Sequence, residues 1–440
     1  MFKTIRNAWK LPELRRKLLF VVFALLIFRL GAAIPVPYIN TEYLQQYISA
    51  NSGTIFGLLN TLSGSALSHA TLFALSIQPY INASIIIQLL TIAIPALERL
   101  AKDGGEEGKK KIQSITRYTT LAIGLLQGFG YYTLIKSYGL LTNEGFWAGL
   151  VIVVSFTAGA VFLMWLGEQI TEFGIGNGIS IILFTGIVSR GPAMITTLVT
   201  GVKNYVSAPD TTSWTDEAIQ ALQASTMHPL VALLLVVGML ALVVFIVFVS
   251  NAERKIPVQY AKRVVGRKMY GGQSTHIPMK LNSTGVMPLI FGFAILQFPA
   301  TVFAFFPTSG INLWWQSFQS GVWYQVVLAV LIIAFTYFYT GITFNPADIS
   351  KNMQQNGGII PGIRQGRATS DYLAKVSSRL TLFSALFLAV LATIPTIITR
   401  VFGIRAPFAA SSVLIAVSVA LETLRQVEAQ MVMRHHKGFL

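Results

Sequence analysis

Ten apolar runs divide the sequence and strongly limit what it can fold into. They lie near 18–36, 72–95, 118–138, 146–167, 178–198, 229–250, 285–306, 323–344, 377–399 and 408–424. Most reach the ~20 residues that an α-helix needs to cross ~30 Å of hydrocarbon. Hydrophobic residues make up 53% of the chain and charged residues only 11%. Because lipid cannot pair backbone polar groups, we predict an all-α polytopic membrane protein with ten transmembrane helices.

Basic residues lie mostly on one side of these ten crossings. Of the 33 Lys and Arg residues, 27 lie in segments that an even number of crossings places beside the N-terminus. Such a bias orients membrane helices with their basic loops in the cytoplasm. We therefore predict cytoplasmic termini, with 1–17 as an amphipathic N-terminal segment at the membrane interface. Residues 1–28 resemble a signal peptide, but nine further runs favour an uncleaved first helix.

The composition argues against most kinds of chemistry. There is no cysteine, which excludes disulfides, thiolate metal sites and thiol nucleophiles. The histidines show no metal-ligand spacing beyond the adjacent pair His435 and His436, and no Walker-type loop appears. No Asp or Glu lies in the middle third of any run, where ion-coupled transporters usually keep a carboxylate. We predict a passive conduit without catalytic residues, metal or cofactor; the alternative is a secondary transporter or flippase.

The second run combines a polar helical arc with branched aliphatic residues. Ser84, Gln88 and Thr91 cluster on one arc, which should face protein or water. The opposite arc, predicted to face lipid, comprises Ala83, Ile86, Ile87, Leu90 and Ile94. Aliphatic residues in line with inward-facing positions recur in the second, fifth, seventh and tenth runs: Ile77, Ile81, Ile179, Leu183, Ile290 and Ile415. Either this is ordinary helix packing, or these residues form an apolar constriction that gates by dewetting.

The outer segment 41–71 contains a mildly apolar stretch at 55–67. This stretch is too short to cross a membrane, and segments of that length are often re-entrant or interfacial. A helix on the surface of the outer leaflet is the other interpretation.

Two inner loops, 251–282 and 345–375, are far longer than a helix connection requires. Their clustered cations suit an acidic partner, RNA or lipid headgroups. Apolar residues among the charges favour docking sites over solvated tails: Ile256, Val258, Tyr260, Tyr270, Ile359 and Ile360.

Five long motifs resemble the bacterial SecY family, the channel subunits of the protein translocon. They are FRLGAAIPVP (28–37), LSGSALSHATLFALSIQPYINASIIIQLL (62–90), MWLGEQITEFGIGNGISI (164–181), YAKRVVGRKMYGGQSTHIPMKLN (260–282) and NPADISKNMQQNGGIIPGIRQG (345–366). The resemblance implies two inverted five-helix halves, 18–200 and 201–424, around a central hourglass pore, followed by a cytoplasmic tail at 425–440.

The resemblance also assigns roles to residues. The six inward aliphatic residues fall at the pore ring, where the family often has Ile in place of Leu183. Residues 54–68 match a re-entrant plug with the apolar positions Ile55, Leu58, Leu59, Leu62 and Leu67. Spans two and seven, with three and eight, match a lateral gate to which Ser84, Gln88 and Gln297 contribute. The inner loops match docking sites for a motor and the ribosome: Arg254, Lys255, Lys262, Arg263, Arg267, Lys268, Arg364 and Arg367.

The function implied by the resemblance is conduction without chemistry. Unfolded secretory proteins would cross the channel, and transmembrane segments would leave through the lateral gate into lipid. The implied partners are the SecE and SecG subunits, the SecA motor ATPase, the ribosome, signal peptides, secretory precursors and membrane lipids. The implied location is the inner membrane of a bacterial cell, and no cofactor is expected.

Overall fold

The protein was analysed as a computed structural model, which describes residues 6, 9–50, 60, 63–102, 104–137, 139–207, 228–260, 263–265, 268–270, 274–303, 309–402 and 410–435. The helices are α1 Pro12–Gly31, α2 Thr41–Ala50, α3 Gln78–Ala93, α4 Pro95–Lys102, α5 Gly105–Ser137, α6 Phe146–Phe173, α7 Gly178–Ser189, α8 Gly191–Val206, α9 Pro229–Asn251, α10 Met287–Phe303, α11 Gly310–Ser320, α12 Val322–Thr343, α13 Pro346–Gln355, α14 Arg367–Phe402 and α15 Ala410–His435. The strands are β1 Glu253–Tyr260, β2 Arg263–Val265, β3 Lys268–Tyr270, β4 Ser274–Lys280 and β5 Gly358–Ile359.

A helix covers all or part of each predicted apolar run. Within the described residues, five helical stretches are long and apolar enough to cross a membrane. A sixth results if α3 and α4, which are bent by 106° at their junction, form one crossing. Helix α10 is apolar but short, and Pro299 lies inside it. The protein is thus mostly helical with several apolar helices, and the count of ten crossings stays a prediction.

The second run is helical only in its C-terminal part. Residues 72–77 form turns, and helix α3 begins at Gln78, with Pro79 at its first turn and Ile77 as its N-cap. Ser76 has a φ of 51°, a left-handed conformation that does not continue a helix. Proline is favoured at the first helical position because its missing N–H has no partner there. The prediction that the second helix spans 72–95 was therefore wrong at its N-terminal end.

The two inner loops form a small sheet, which is a departure from the all-α prediction. Strand β1 lies between β4 and β5 in an antiparallel sheet, with Ile256 opposite Ile277 and Tyr260 opposite Gly358. The strand β5 comes from the second loop, so the two loops are one structural unit. Strands β2 and β3 form a separate two-stranded sheet. We call β1, β4, β5, α13 and the start of α14 the sheet module.

The helices of the two halves meet along two seams. At one seam, α10 contacts α3 and α5. At the other, α15 contacts α7. A large core of buried aliphatic and aromatic side chains lies between these helices. The predicted pore residues come from helices that border this core.

Candidate pore ring, plug root and docking surface

The six predicted ring residues are all part of one apolar core. Ile77, Ile81, Leu183 and Ile415 are buried, and Ile179 and Ile290 are half-buried against them. They come from α3 and its N-cap, α7, α10 and α15, which are the helices that form the two seams. Ordinary helix packing and a closed pore constriction would both bury these side chains. The helices that carry these six residues contact each other across both seams, and the ring assignment stays a prediction.

A helix cap at the start of α7 fixes the backbone of the predicted ring residue Ile179. Asn177 is the N-cap of this helix, and its side-chain oxygen accepts hydrogen bonds from the backbone N–H of Ile179 at 3.0 Å and of Ser180 at 3.3 Å. Such a cap pairs backbone donors that have no partner within the helix. A Cβ at Gly167 would lie 3.4 Å from Cδ1 of Ile179, so α6 packs closely against this side chain.

Polar atoms without partners lie in the same interior. Oγ of Ser76, both side-chain polar atoms of Asn82, and Oγ of Ser412 and Ser418 are buried and form no hydrogen bond in the part of the chain described. Each such atom costs about 1–3 kcal/mol when it is removed from water.

The predicted lipid-facing arc of α3 was partly wrong. Ala83 and Ile87 are buried in protein, Ile86 and Leu90 are half-buried, and only Ile94 is exposed. The reason is that α3 contacts α5, α6 and α10, so protein surrounds it on several sides. A polar arc alone cannot reveal how many neighbours cover the opposite arc.

The predicted gate residues lie close to one seam. Gln88 is exposed on α3, Ser84 is half-buried on the same helix, and Gln297 is half-buried on α10. Helix α10 contacts α3, α5 and α12, which correspond to the predicted spans two, three and eight. The four spans predicted to form a gate are therefore neighbours in the structure.

Of the predicted plug residues, Leu67 is described, whereas Ile55, Leu58, Leu59 and Leu62 lie outside the described residues. Leu67 is buried, and Asn60, Ser63 and Ala66 near it in sequence are also buried. Residues 63–77 form turns rather than a helix. For its described part, the interpretation as a surface helix on the outer leaflet is wrong. Most of residues 63–71, which are not helical, are buried in protein.

The sheet module presents cations on an ordered surface. Arg254, Lys255, Arg364 and Arg367 are all exposed. The predicted docking residues Lys262 and Arg267 lie outside the described residues, and Arg263 and Lys268 are in strands β2 and β3 without described side chains.

The loop that carries Arg364 is held by several hydrogen bonds. The Arg364 carbonyl accepts a bond from Oγ1 of Thr369 at 2.8 Å, and the Gly366 carbonyl accepts one from Oγ of Ser350 at 2.6 Å. Gly362 and Gly366 have φ values of 81° and 87°, which favour glycine. The backbone around Arg364 is therefore fixed while its side chain is exposed.

Three apolar residues that were predicted to dock a partner instead form the core of the sheet module. Ile256, Val258 and Ile360 are buried together with residues of α13 and α14: Met353, Leu373 and Val376. Ile359 is exposed. The sequence did carry a signal for this sheet, because Ile256, Val258 and Tyr260 alternate with polar residues, as in a half-buried strand.

Replacing Leu373 with alanine is expected to loosen the sheet module. Leu373 is fully buried in its core, and such a truncation costs about 2–5 kcal/mol. Proteolysis of the 251–282 and 345–375 segments in reconstituted membranes should become faster. Ile359→Ala removes an exposed apolar residue of the same module and should leave the rate unchanged. Equal rates for both variants would show that this core does not hold the loops.

An ion pair that the sequence analysis missed joins α5 to α6. Nη2 of Arg117 lies 2.8 Å from Oε2 of Glu168, and Nε of Arg117 and Nε2 of Gln113 both donate to Oε1. The hydrogen bond to Glu168 raises the pKa of the Arg117 guanidinium above its ordinary value. These three donors give the Glu168 carboxylate a structural role.

Solved structures share the fold of this chain. The chain superposes on the solved structure described as "The structure of a protein conducting channel" with a TM-score of 0.65, at 18% identity and 97% coverage of both chains. It is also similar to Sec61 in the canine ribosome-channel complex from the endoplasmic reticulum, with a TM-score of 0.62, 16% identity and 97% coverage of both chains. At such identities the likeness concerns the fold, which is that of protein-conducting channels.

Sequence comparison gives the family. The SecY family model matches residues 71–424. The chain is 41% identical to the protein translocase subunit SecY of Halalkalibacterium halodurans, 40% to that of Bacillus subtilis and 38% to that of Aquifex aeolicus, with full coverage of both chains each time. The chain belongs to the SecY family, whose members are membrane-embedded channel subunits of the protein translocase and not enzymes.

Proposed function

We propose that this chain forms the pore through which unfolded secretory proteins cross a bacterial inner membrane. The proposal is supported by one observation: the six predicted ring residues come from helices that contact each other across both seams, and they all belong to or pack against one apolar core. An aliphatic waist binds no side chain tightly, so chains of any sequence can slide through it. When the pore is empty, apolar side chains at the waist exclude water and ions.

The seam formed by α3, α5, α10 and α12 is the proposed lateral gate. Separation of α3 from α10 would open a path from the interior to lipid for signal peptides and transmembrane segments. Gln88, Ser84 and Gln297 would line this path, where polar groups can pair with a passing peptide backbone. The unpaired buried atoms of Asn82 and Ser76 lie on the same helix and its entry turn, and they would gain water as the seam opens.

The sheet module is the proposed docking surface for a SecA-type motor or a ribosome. Its support is an ordered core beneath exposed arginines, which lets a partner bind without first ordering a loop. Guanidinium groups bind carboxylates and phosphates in a bidentate manner, so both a protein and an RNA surface fit. SecE and SecG subunits complete the proposed assembly in the bilayer, and no cofactor takes part.

Reconstitution tests this function. The purified chain would be placed in liposomes with SecE and SecG subunits, a SecA motor and a secretory precursor. We expect the precursor to become protected from protease only when ATP is present. Absence of protection, with a helical fold confirmed by circular dichroism, would contradict the proposal.

The ten-span topology can be tested in this cysteine-free chain with single cysteines. Asn356 is exposed next to the sheet module, and Glu144 is exposed between α5 and α6. A membrane-impermeant thiol reagent should label Asn356→Cys only from the cytoplasmic side and Glu144→Cys only from the outside. Labelling of both variants from the same side would contradict the predicted number of crossings.

A further inference from the structure

The segment that leads from the proposed plug into α3 is folded as one compact unit. We define the plug root as Asn60 and residues 63–71. The Asn60 side-chain oxygen accepts a hydrogen bond from the backbone N–H of Ser68 at 3.0 Å, and its carbonyl accepts one from the N–H of Ser65 at 2.8 Å. The Ser63 hydroxyl accepts a bond from the N–H of Leu67 at 3.3 Å. These bonds link Asn60 and Ser63, at the start of the root, to Ser65, Leu67 and Ser68 further along it.

Hydrogen bonds also fasten this root to the first half of the protein. The hydroxyl of Tyr131, on α5, donates to the Leu67 carbonyl at 2.9 Å, and both groups are buried. The N–H of Val36 donates to the Ala70 carbonyl at 2.9 Å. Thr71 forms an antiparallel bridge with Pro35. The root is thus bonded to the segment after α1 and to α5.

A second apolar core surrounds these bonds and is separate from the ring. Leu67 and Ala70 pack in it with Val36, Tyr131 and Phe156. The rings of Tyr131 and Phe156 meet edge to face, with centroids 5.2 Å apart. All described members of this core belong to the first half. A displacement of the root would expose this apolar surface together with the paired backbone groups.

The other side of the root lies against α7. A Cβ placed on Gly64 would be 2.7 Å from Oγ of Ser189 and 3.2 Å from the backbone of Gly186. Gly64 has a φ of 66°, so glycine supplies both the turn and the close approach. Helix α7 is also part of the first half. The root therefore lies between α5 and α7, and its residue Ala66 also belongs to the central core.

We propose that the root stays bonded to the first half while the channel opens, and that the Tyr131 hydroxyl is the positioning group that holds it there. Any displacement of the plug then does not extend into the plug root. The root forms a fixed part of the channel wall just outside the ring. This inference rests on the proposed channel function.

The variant Tyr131→Phe tests the positioning role. It removes one hydroxyl, retains the ring contact with Phe156 and leaves the Leu67 carbonyl with only the bond from the Ala70 N–H at 3.2 Å. We expect leakage of ions from proteoliposomes with resting channels to rise about two- to tenfold, the factor that one buried hydrogen bond corresponds to. ATP-driven precursor transport should stay at the wild-type level. Tyr132→Phe, the same change at a half-buried tyrosine beside Gly149, is the control and should not leak. Unchanged leakage in Tyr131→Phe would overturn the proposal.

A disulfide tests whether the root moves. In the double variant Pro35→Cys/Thr71→Cys, the antiparallel bridge between these positions permits a bond between the root and the segment after α1. Precursor transport should be equal in the oxidised and reduced forms, and oxidation should reverse the leakage caused by Tyr131→Phe. Transport by the reduced form but not by the oxidised form would show that the root moves and overturn this inference alone. Loss of transport in wild type under the same conditions would instead count against the proposed function.

Discussion

Replacing Arg364 with glutamate is expected to abolish motor-driven transport of precursors while the protein stays folded. The Arg364 side chain is exposed, whereas the loop backbone around it is fixed by hydrogen bonds from Thr369 and Ser350. Charge reversal at such a position normally changes the free energy of unfolding by less than ~0.5 kcal/mol. The introduced glutamate would, by contrast, repel an acidic partner and prevent it from binding to this surface. The measurements are ATP-dependent protection of a precursor, binding of the motor to membranes, and the melting temperature.

Lys375→Glu is the matched control for this variant. Lys375 is exposed on α14 within the same sheet module, and it was not among the predicted docking residues. Both variants change the net charge equally, so a general effect on headgroup binding would appear in both. Normal transport by Arg364→Glu, or an equal loss in Lys375→Glu, would favour the interpretation that this surface contacts only lipid headgroups.

Ile81→Asn is expected to make the resting channel leak and to relax its selection of signal sequences. An amide at the waist lets water enter a constriction that aliphatic side chains keep dry. A shift of about 1.4 kcal/mol away from the closed state corresponds to a tenfold rise in the open fraction. Ion flux from proteoliposomes should rise by about that factor, and precursors with weak signal sequences should be transported more efficiently.

Ile87→Asn is the control for this effect because it is matched in chemistry and burial. Ile87 is 5% exposed and Ile81 is 7% exposed, and both lie on α3. Among the described residues, Ile87 is not part of the central core that contains the ring. Both variants lose buried apolar surface, so both should be less stable by about 1–3 kcal/mol. If Ile87→Asn leaks as much as Ile81→Asn at equal protein levels, the ring assignment is wrong and leakage reflects general destabilisation.

The apolar runs predicted most of the helices well because each helix in lipid must pair its own backbone groups. Helices α6, α9 and α12 follow directly from uninterrupted runs, and family motifs in their flanks gave the family that the sequence comparisons confirm. The predicted start of the second span was wrong because hydropathy does not distinguish a buried turn from a helix. Leu72 and Phe73 are as apolar as any helical residue, but they belong to the turn that follows the plug root.

The face of α3 shows a related limit. The polar arc predicted that the opposite arc faces lipid, but Ala83 and Ile87 on that arc are buried because α5, α6 and α10 all contact α3. In the two inner loops, the sequence analysis instead mistook buried residues for exposed contact residues. Ile256 and Val258 looked like contact residues for a partner, although they are the core beneath the surface that carries Arg364. In both cases the residue type correctly indicated that the side chain is buried. Which residues cover it depends on parts of the chain that are distant in sequence.

The sequence by itself determined the helical membrane class, the family and the residues that form the apolar core. These depend on local properties: run length, hydropathy, charge bias and motifs. Only the tertiary structure decided that the core lies at the seams between α3 and α10 and between α7 and α15, that β5 joins the second inner loop to the first, and that Tyr131 fastens the plug root. Those contacts join residues far apart in the chain. Their formation depends on the packing of whole helices and strands, which no local pattern encodes.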